Sequence, residues 1–135
     1  MKISRGLRNN NPLNIRRNNT QWKGLSPVQR DKEFFSFTDA GWGYRAAFIT
    51  LRNYYRRHGL KTLRRWITRW APPVENDTDT YVGFVSSKTG IDADAGLDVD
   101  DPVSMQKIVA AMSHMENGKP ALLSDVEKGW NLSLC

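Results

Sequence analysis

The chain has 135 residues, 39% of them apolar, with five Trp, five Phe and four Tyr, which suits one domain with a single core and excludes a disordered chain. Twenty Lys and Arg against fourteen Asp and Glu leave a net charge of +6, favouring an anionic partner such as nucleic acid, a membrane surface or an acidic wall polymer. A lone cysteine, Cys135, excludes a disulfide framework, and two distant histidines, His58 and His114, argue against zinc; no metal or cofactor is expected.

No stretch approaches the ~20 apolar residues of a membrane span, and no repeat or linker divides the chain, so one domain over residues 1–135 is expected. The opening RGLRNNNPLNIRRNN is rich in Asn and holds a Gly and a Pro, a composition of turns whose amides pair with nearby backbone. Residues 20–37, TQWKGLSPVQRDKEFFSF, carry aromatics at both ends, and Phe35 and Phe37 alternate with Ser36 at the strand period. A small β-hairpin or three-stranded lobe is expected there.

The period then changes. Asp39 can cap a helix with Tyr44, Ala47, Phe48, Leu51, Tyr54 and Tyr55 on one face, closed by basic residues and Gly59. Thr62 opens a short helix through Trp66, Ile67 and Trp70, ended by Pro72 and Pro73. Asp77 can cap a third, through Tyr81, Phe84 and Val85, stopped at Gly90. The acidic loop IDADAGLDVDD lacks the glycine and closing Glu positions of an EF-hand. Asp101 followed by Pro102 starts a helix through Met105, Ile108, Val109, Met112 and Met115 to Gly118. SDVE at Ser124 reads as a capping box for a last helix reaching Trp130. The fold class is mainly α (α+β), with the β element near the N-terminus.

Glu116 stands out. It lies at +11, +8, +7 and +4 from Met105, Ile108, Val109 and Met112, on the apolar stripe of its helix. Burial and the negative end of the helix dipole both disfavour its ionised form. A carboxyl held protonated near neutral pH can deliver a proton to a glycosidic oxygen. The bland alternative is a terminal Glu that bends to solvent or pairs with an arginine. His114, two residues earlier, points about 200° around the helix from Glu116, towards the surface.

The segment IVAAMSHMENG (residues 108–118) resembles the catalytic helix of the lysozyme-like superfamily, and of flagellar-rod and autolysin-type glucosaminidases in particular. NNPLNI resembles their Asn-rich loop, WKGL and DKEFFSF their β-lobe, AGWGYRAAFITLRNYY the long helix that follows, and ITRWAPPVENDTDTYV the aromatic-Ala segment before their final helix. In those enzymes these segments follow the catalytic helix, so the resemblance implies a circularly permuted lysozyme-like fold with that helix C-terminal. The string as a whole also resembles small phage and prophage proteins, described as virion structural proteins or peptidoglycan-degrading lysozymes.

The resemblance implies Glu116 as general acid, with Asp31 or Glu33 as a second carboxylate from the β-lobe. Two carboxylates would permit hydrolysis; Glu116 alone would suit a lytic transglycosylase. The family's aromatic-Ala position is usually Tyr and is Trp70 here, a donor that cannot accept; Tyr81 can substitute. Asn11, Asn14, Glu75 and Asn76 would form polar walls for N-acetyl groups and hydroxyls, or else satisfy loop and helix-cap backbone. Trp22 would stack on a sugar or sit in the core.

The leading expectation is therefore a phage-derived enzyme cleaving peptidoglycan glycan strands. It would be a muramidase, glucosaminidase or lytic transglycosylase, made in the cytoplasm without a signal peptide and acting at the cell wall from the virion or on lysis. The alternatives are a non-catalytic virion or tail structural protein on the same fold, which could contact other virion proteins, and a basic nucleic-acid-binding module. The last has no recognition motif beyond charge. A monomer is the default.

Overall fold

The computed structural model describes residues 3–74 and 76–135, and within these it is mainly helical. After a single turn, α1 (Arg5–Arg8), come α2 (Ala40–His58), α3 (Leu63–Trp70), α4 (Thr78–Thr89), α5 (Pro102–Asn117) and α6 (Leu123–Ser133). No helix here is long and apolar enough to cross a membrane.

The helix ends follow local chemistry. Asp39 accepts from the Gly41 N–H, Thr62 from Arg65, Asp77 from Thr80, and Asp101 from Val103 and Ser104, each satisfying an orphan donor of the first turn. Gly59, Gly90 and Gly118 close α2, α4 and α5 in the left-handed conformation. The capping box expected at Ser124 does not form: α6 starts from Leu122, with no side-chain cap. The Asp125 and Val126 N–H groups bond the Leu122 carbonyl at 3.0 and 3.2 Å, which closes the first turn two residues earlier.

The main core gathers the inward faces of α2 to α6 with Leu13 of the Asn-rich loop: Tyr44, Phe48, Leu51, Trp66, Ile67, Met105, Ile108 and Met112 are all but solvent-free. α2 and α6 pack backbone to backbone, because a Cβ on Gly129 would lie 2.4 Å from Tyr44 Cβ. A second, smaller cluster holds Phe35, Phe37 and Ala46, with Trp22, Leu25 and Trp42 against it.

That second cluster is where a β-lobe was expected, and among the described residues there is no sheet. Two isolated antiparallel bridges, Arg16 with Phe34 and Leu25 with Phe37, are what remains of it. The physical reason is that side-chain amides take the ladder's partners. Asn11 Nδ2 donates to the Ile15 and Phe35 carbonyls, while Gln29 Nε2 donates to the Ser26 and Ser36 carbonyls and its Oε1 accepts from Ser36 N–H. The backbone is satisfied by these amides together with a few cross-strand bonds, Phe35 N–H to the Ile15 carbonyl, Arg17 N–H to the Glu33 carbonyl and Ser26 N–H to the Ser36 carbonyl, which do not extend into a ladder.

Candidate active site around Glu116

Glu116 sits in the last turn of α5, where Met105, Ile108, Val109 and Met112 of the same stripe are solvent-free. Its carboxylate is half-buried and accepts from Asn14 Nδ2 at 2.8 Å. Asn14 reaches it from a left-handed backbone conformation, φ 52°, which Asn tolerates better than other side chains. The loop carrying Asn14 lies against α5 because residue 6 is glycine: a Cβ there would fall 2.8 Å from Asn14 Oδ1 and Asn117 Oδ1, and 2.9 Å from the Asn11 carbonyl.

Burial raises the Glu116 pKa, opposed in part by hydrogen bonding from Asn14 and Tyr81. The α5 C-terminus adds to the rise, since the carboxylate stands at the negative end of the helix. Tyr81 of α4 is buried behind it. Burial, then the neighbouring Glu116 charge, pushes the Tyr81 phenol far above its ordinary value, so it stays a neutral donor. No arginine pairs with Glu116 among the described residues.

Glu116 opens onto a cleft of about 280 Å³, whose other walls include Asn14, Arg16, Arg69, Trp70 and Asn76. The structure thus brings together Glu116, Asn14, Trp70 and Asn76, with Tyr81 supporting them from behind. The Trp70 indole N–H donates to the Leu13 carbonyl at 3.2 Å; it fixes the residue before Asn14 and leaves the ring as cleft wall. Asn76 Nδ2 is 3.3 Å from the Pro72 carbonyl, so it braces the turn before α4 as well as lining the cleft. Glu75 lies outside the described residues.

Four other candidates go elsewhere. Asn11 is fully buried, with its amide spent on Ile15 and Phe35, so it braces the loop. Trp22 packs in the second cluster beside Phe35 and Phe37. Asp31 forms a two-pronged pair with Arg5 at 2.5 and 2.6 Å and caps the Glu33 and Phe34 N–H groups. Arg5 holds its carboxyl well below the usual range, which suits an anchor and not a proton donor. Glu33 is exposed and shared between Arg5 and Arg16. Among the described residues lining the cleft, Glu116 is the one carboxylate.

Sequence reasoning passed over Asn117, Ser113 and Ser4. Asn117 Nδ2 donates to the Pro12 carbonyl at 2.8 Å, its Oδ1 accepts from Ser4 at 2.6 Å, and Ser113 bonds the buried Tyr44 hydroxyl at 2.8 Å. Asn117 with Ser4 and Pro12 clamps the N-terminal segment to α5, and Ser113 ties α5 to α2. The signal available was a polar residue directly after Glu116, but its partner lies 113 positions away.

His114 faces away, edge-on to Phe84 with ring centroids 5.1 Å apart. It lines a larger depression of about 610 Å³ between α5 and α6, walled chiefly by aliphatic side chains and lysines. Size therefore does not single out the candidate site; the half-buried Glu116 carboxyl does. No group of three or more His, Cys, Asp or Glu side chains converges as a metal site would require, among the described residues.

No protein-family model matches the chain. Protein P5 of Pseudoalteromonas phage PM2 is 39% identical over 133 residues, spanning 96% of this chain and 81% of that protein. The aligned region takes in nearly everything described above, from the Asn-rich loop to α6, and on that extent of identity the chain belongs to the family of phage PM2 protein P5.

Proposed function

We propose that this protein cleaves the glycan strand of bacterial peptidoglycan at the cell wall, with Glu116 as general acid and base on a permuted lysozyme-like fold. The observation that carries the reading is a half-buried carboxyl of raised pKa, bonded to Asn14 and not to an arginine, opening onto a polar and aromatic cleft. A carboxyl tuned upward is suited to donate a proton near neutral pH. Structural ion pairs also perturb pKa values, but they lower those of acids, as at Asp31.

In this mechanism protonated Glu116 donates to the glycosidic oxygen as the bond to the anomeric carbon breaks. Asn14 keeps the carboxyl aimed at the cleft. The resulting carboxylate then takes a proton from the nucleophile. With one carboxylate among the described lining residues, attack by a hydroxyl of the same sugar fits better than attack by water activated by a second acid. The favoured product is therefore an anhydro sugar.

The test is release of soluble muropeptides from purified peptidoglycan, with mass analysis, for the parent and Glu116→Gln. Release by the parent alone, with a product one water lighter than the hydrolysed one, is the expected result. Equal release by both proteins would remove Glu116 as the acid. No release by either would favour the non-catalytic virion reading.

A further inference from the structure

The Glu116 cleft, at about 280 Å³, is at the small end for a ligand site, so a polymeric substrate has to run past its walls. Arg69, one of those walls, also lines a second depression of about 660 Å³ along α3, together with Thr62, Arg64, Arg65 and Asp94. Arg64 is neutralised there by Asp94 at 2.8 Å. Arg65 is exposed and has no ion-pair partner among the described residues. Arg65 and Arg69 stand four residues apart on one helix face, where like charges repel. Arg69 lies over the Tyr54 ring, 5.2 Å from its centroid, which holds its guanidinium where the two depressions meet, and two adjacent guanidinium groups suit an anion.

Asn76, a further wall residue, is shared with a third depression that contains Asp77 and Asp79 and adjoins the second through Arg64 and Thr68. An anionic group leaving the cleft is therefore drawn towards Arg65 and Arg69 and away from Asp79.

We propose that Arg65 and Arg69 form an anion subsite continuous with the Glu116 cleft, and that it takes carboxylates of the peptide side chains borne by the glycan. The assignment of its ligand rests on the glycan-cleaving reading of Glu116. The substrate class is thereby narrowed to glycan strands that still carry their peptides.

The test compares cleavage of intact peptidoglycan with cleavage of amidase-stripped glycan strands, for the parent and for Arg65→Gln/Arg69→Gln. The parent should prefer intact material by about fivefold, two exposed ion pairs being worth about that. The preference should reside in KM, collapse towards unity in the double variant, and vanish at about 1 M salt, where the screening length is about 3 Å. A parent that cleaves both materials equally, or a folded variant that keeps the preference, overturns the subsite. If the parent cleaves neither, the glycosidase reading has failed and co-sedimentation decides the subsite. Glu116→Gln should pellet with intact peptidoglycan more than with stripped strands, and lose that difference when both arginines are also changed; equal pelleting with the two materials overturns it.

Discussion

Replacing Asn11 by Ala asks whether this residue is a brace or a sugar contact. Its side chain is solvent-free and makes three hydrogen bonds, at 3.0 Å to the Ile15 carbonyl, 2.9 Å to the Phe35 carbonyl and 2.9 Å from the Ile15 N–H. The Ile15 carbonyl keeps a second donor, the Phe35 N–H at 3.1 Å. Truncation therefore orphans two groups, the Phe35 carbonyl and the Ile15 N–H. Each buried unsatisfied group costs about 1–3 kcal/mol, so the loss is about 2–6 kcal/mol. For a chain of this size that lowers Tm by roughly 7–20 °C. Asn11→Asp should do at least as much harm at neutral pH, because its second oxygen would face two carbonyl oxygens. Thermal and urea unfolding followed by tryptophan fluorescence measures both. An Asn11→Ala protein that melts within about 2 °C of the parent yet releases no muropeptides would refute the brace.

Three further outcomes follow from the same geometry. The Glu116 carboxyl binds its proton more tightly folded than unfolded, so its contribution falls as pH rises from about 4.5 through the raised folded value. Glu116→Gln should therefore gain stability over the parent between acid and neutral pH, and a urea-midpoint difference that does not change with pH would contradict the burial argument. Asp31 has the opposite sign: its depressed carboxyl stabilises above the ordinary value of 3.8 and that support is lost below it. Asp31→Asn should lower Tm at neutral pH and converge on the parent in acid; a constant offset would mean the Arg5 pair is not the cause. Gly129→Ala would put a Cβ 2.4 Å from Tyr44 Cβ and 2.9 Å from the Arg45 nitrogen, prising α6 from α2 at a cost of about 1–3 kcal/mol. This outweighs the gain in helix propensity, at most about 1 kcal/mol, and a parent-like melt would show that the two helices separate freely.

Membership of the phage PM2 protein P5 family says nothing of chemistry by itself; the functional argument rests on the site. There the side-chain pairing of the first half matters as much as Glu116. Arg5 with Asp31, Arg64 with Asp94 and Arg56 with Asp100 take up part of the basic clustering that nominated nucleic acid. Charge without a recognition motif is a weaker footprint than duplex binding requires.

The sequence by itself determined the features that depend on near neighbours. Asp39, Thr62, Asp77 and Asp101 cap their helices and Gly59, Gly90 and Gly118 end them, because caps and stops act within one turn. The same 3.6-residue period put Glu116 on the inward stripe of α5. Only the tertiary structure decided which polar residues meet it. Asn11 and Asn14 are alike in type and three positions apart, yet one is sealed among loop carbonyls and the other faces a carboxylate 102 residues away. Asp31 and Glu33 were equal candidates for the cleft until Arg5, 26 residues from Asp31, claimed them. The alternation at Phe35 and Phe37 read as a strand, but Asn11 and Gln29 amides took the backbone partners a sheet would have used. Local propensity sets where helices begin and end; which long-range partner a polar group finds depends on how the whole chain closes on its core.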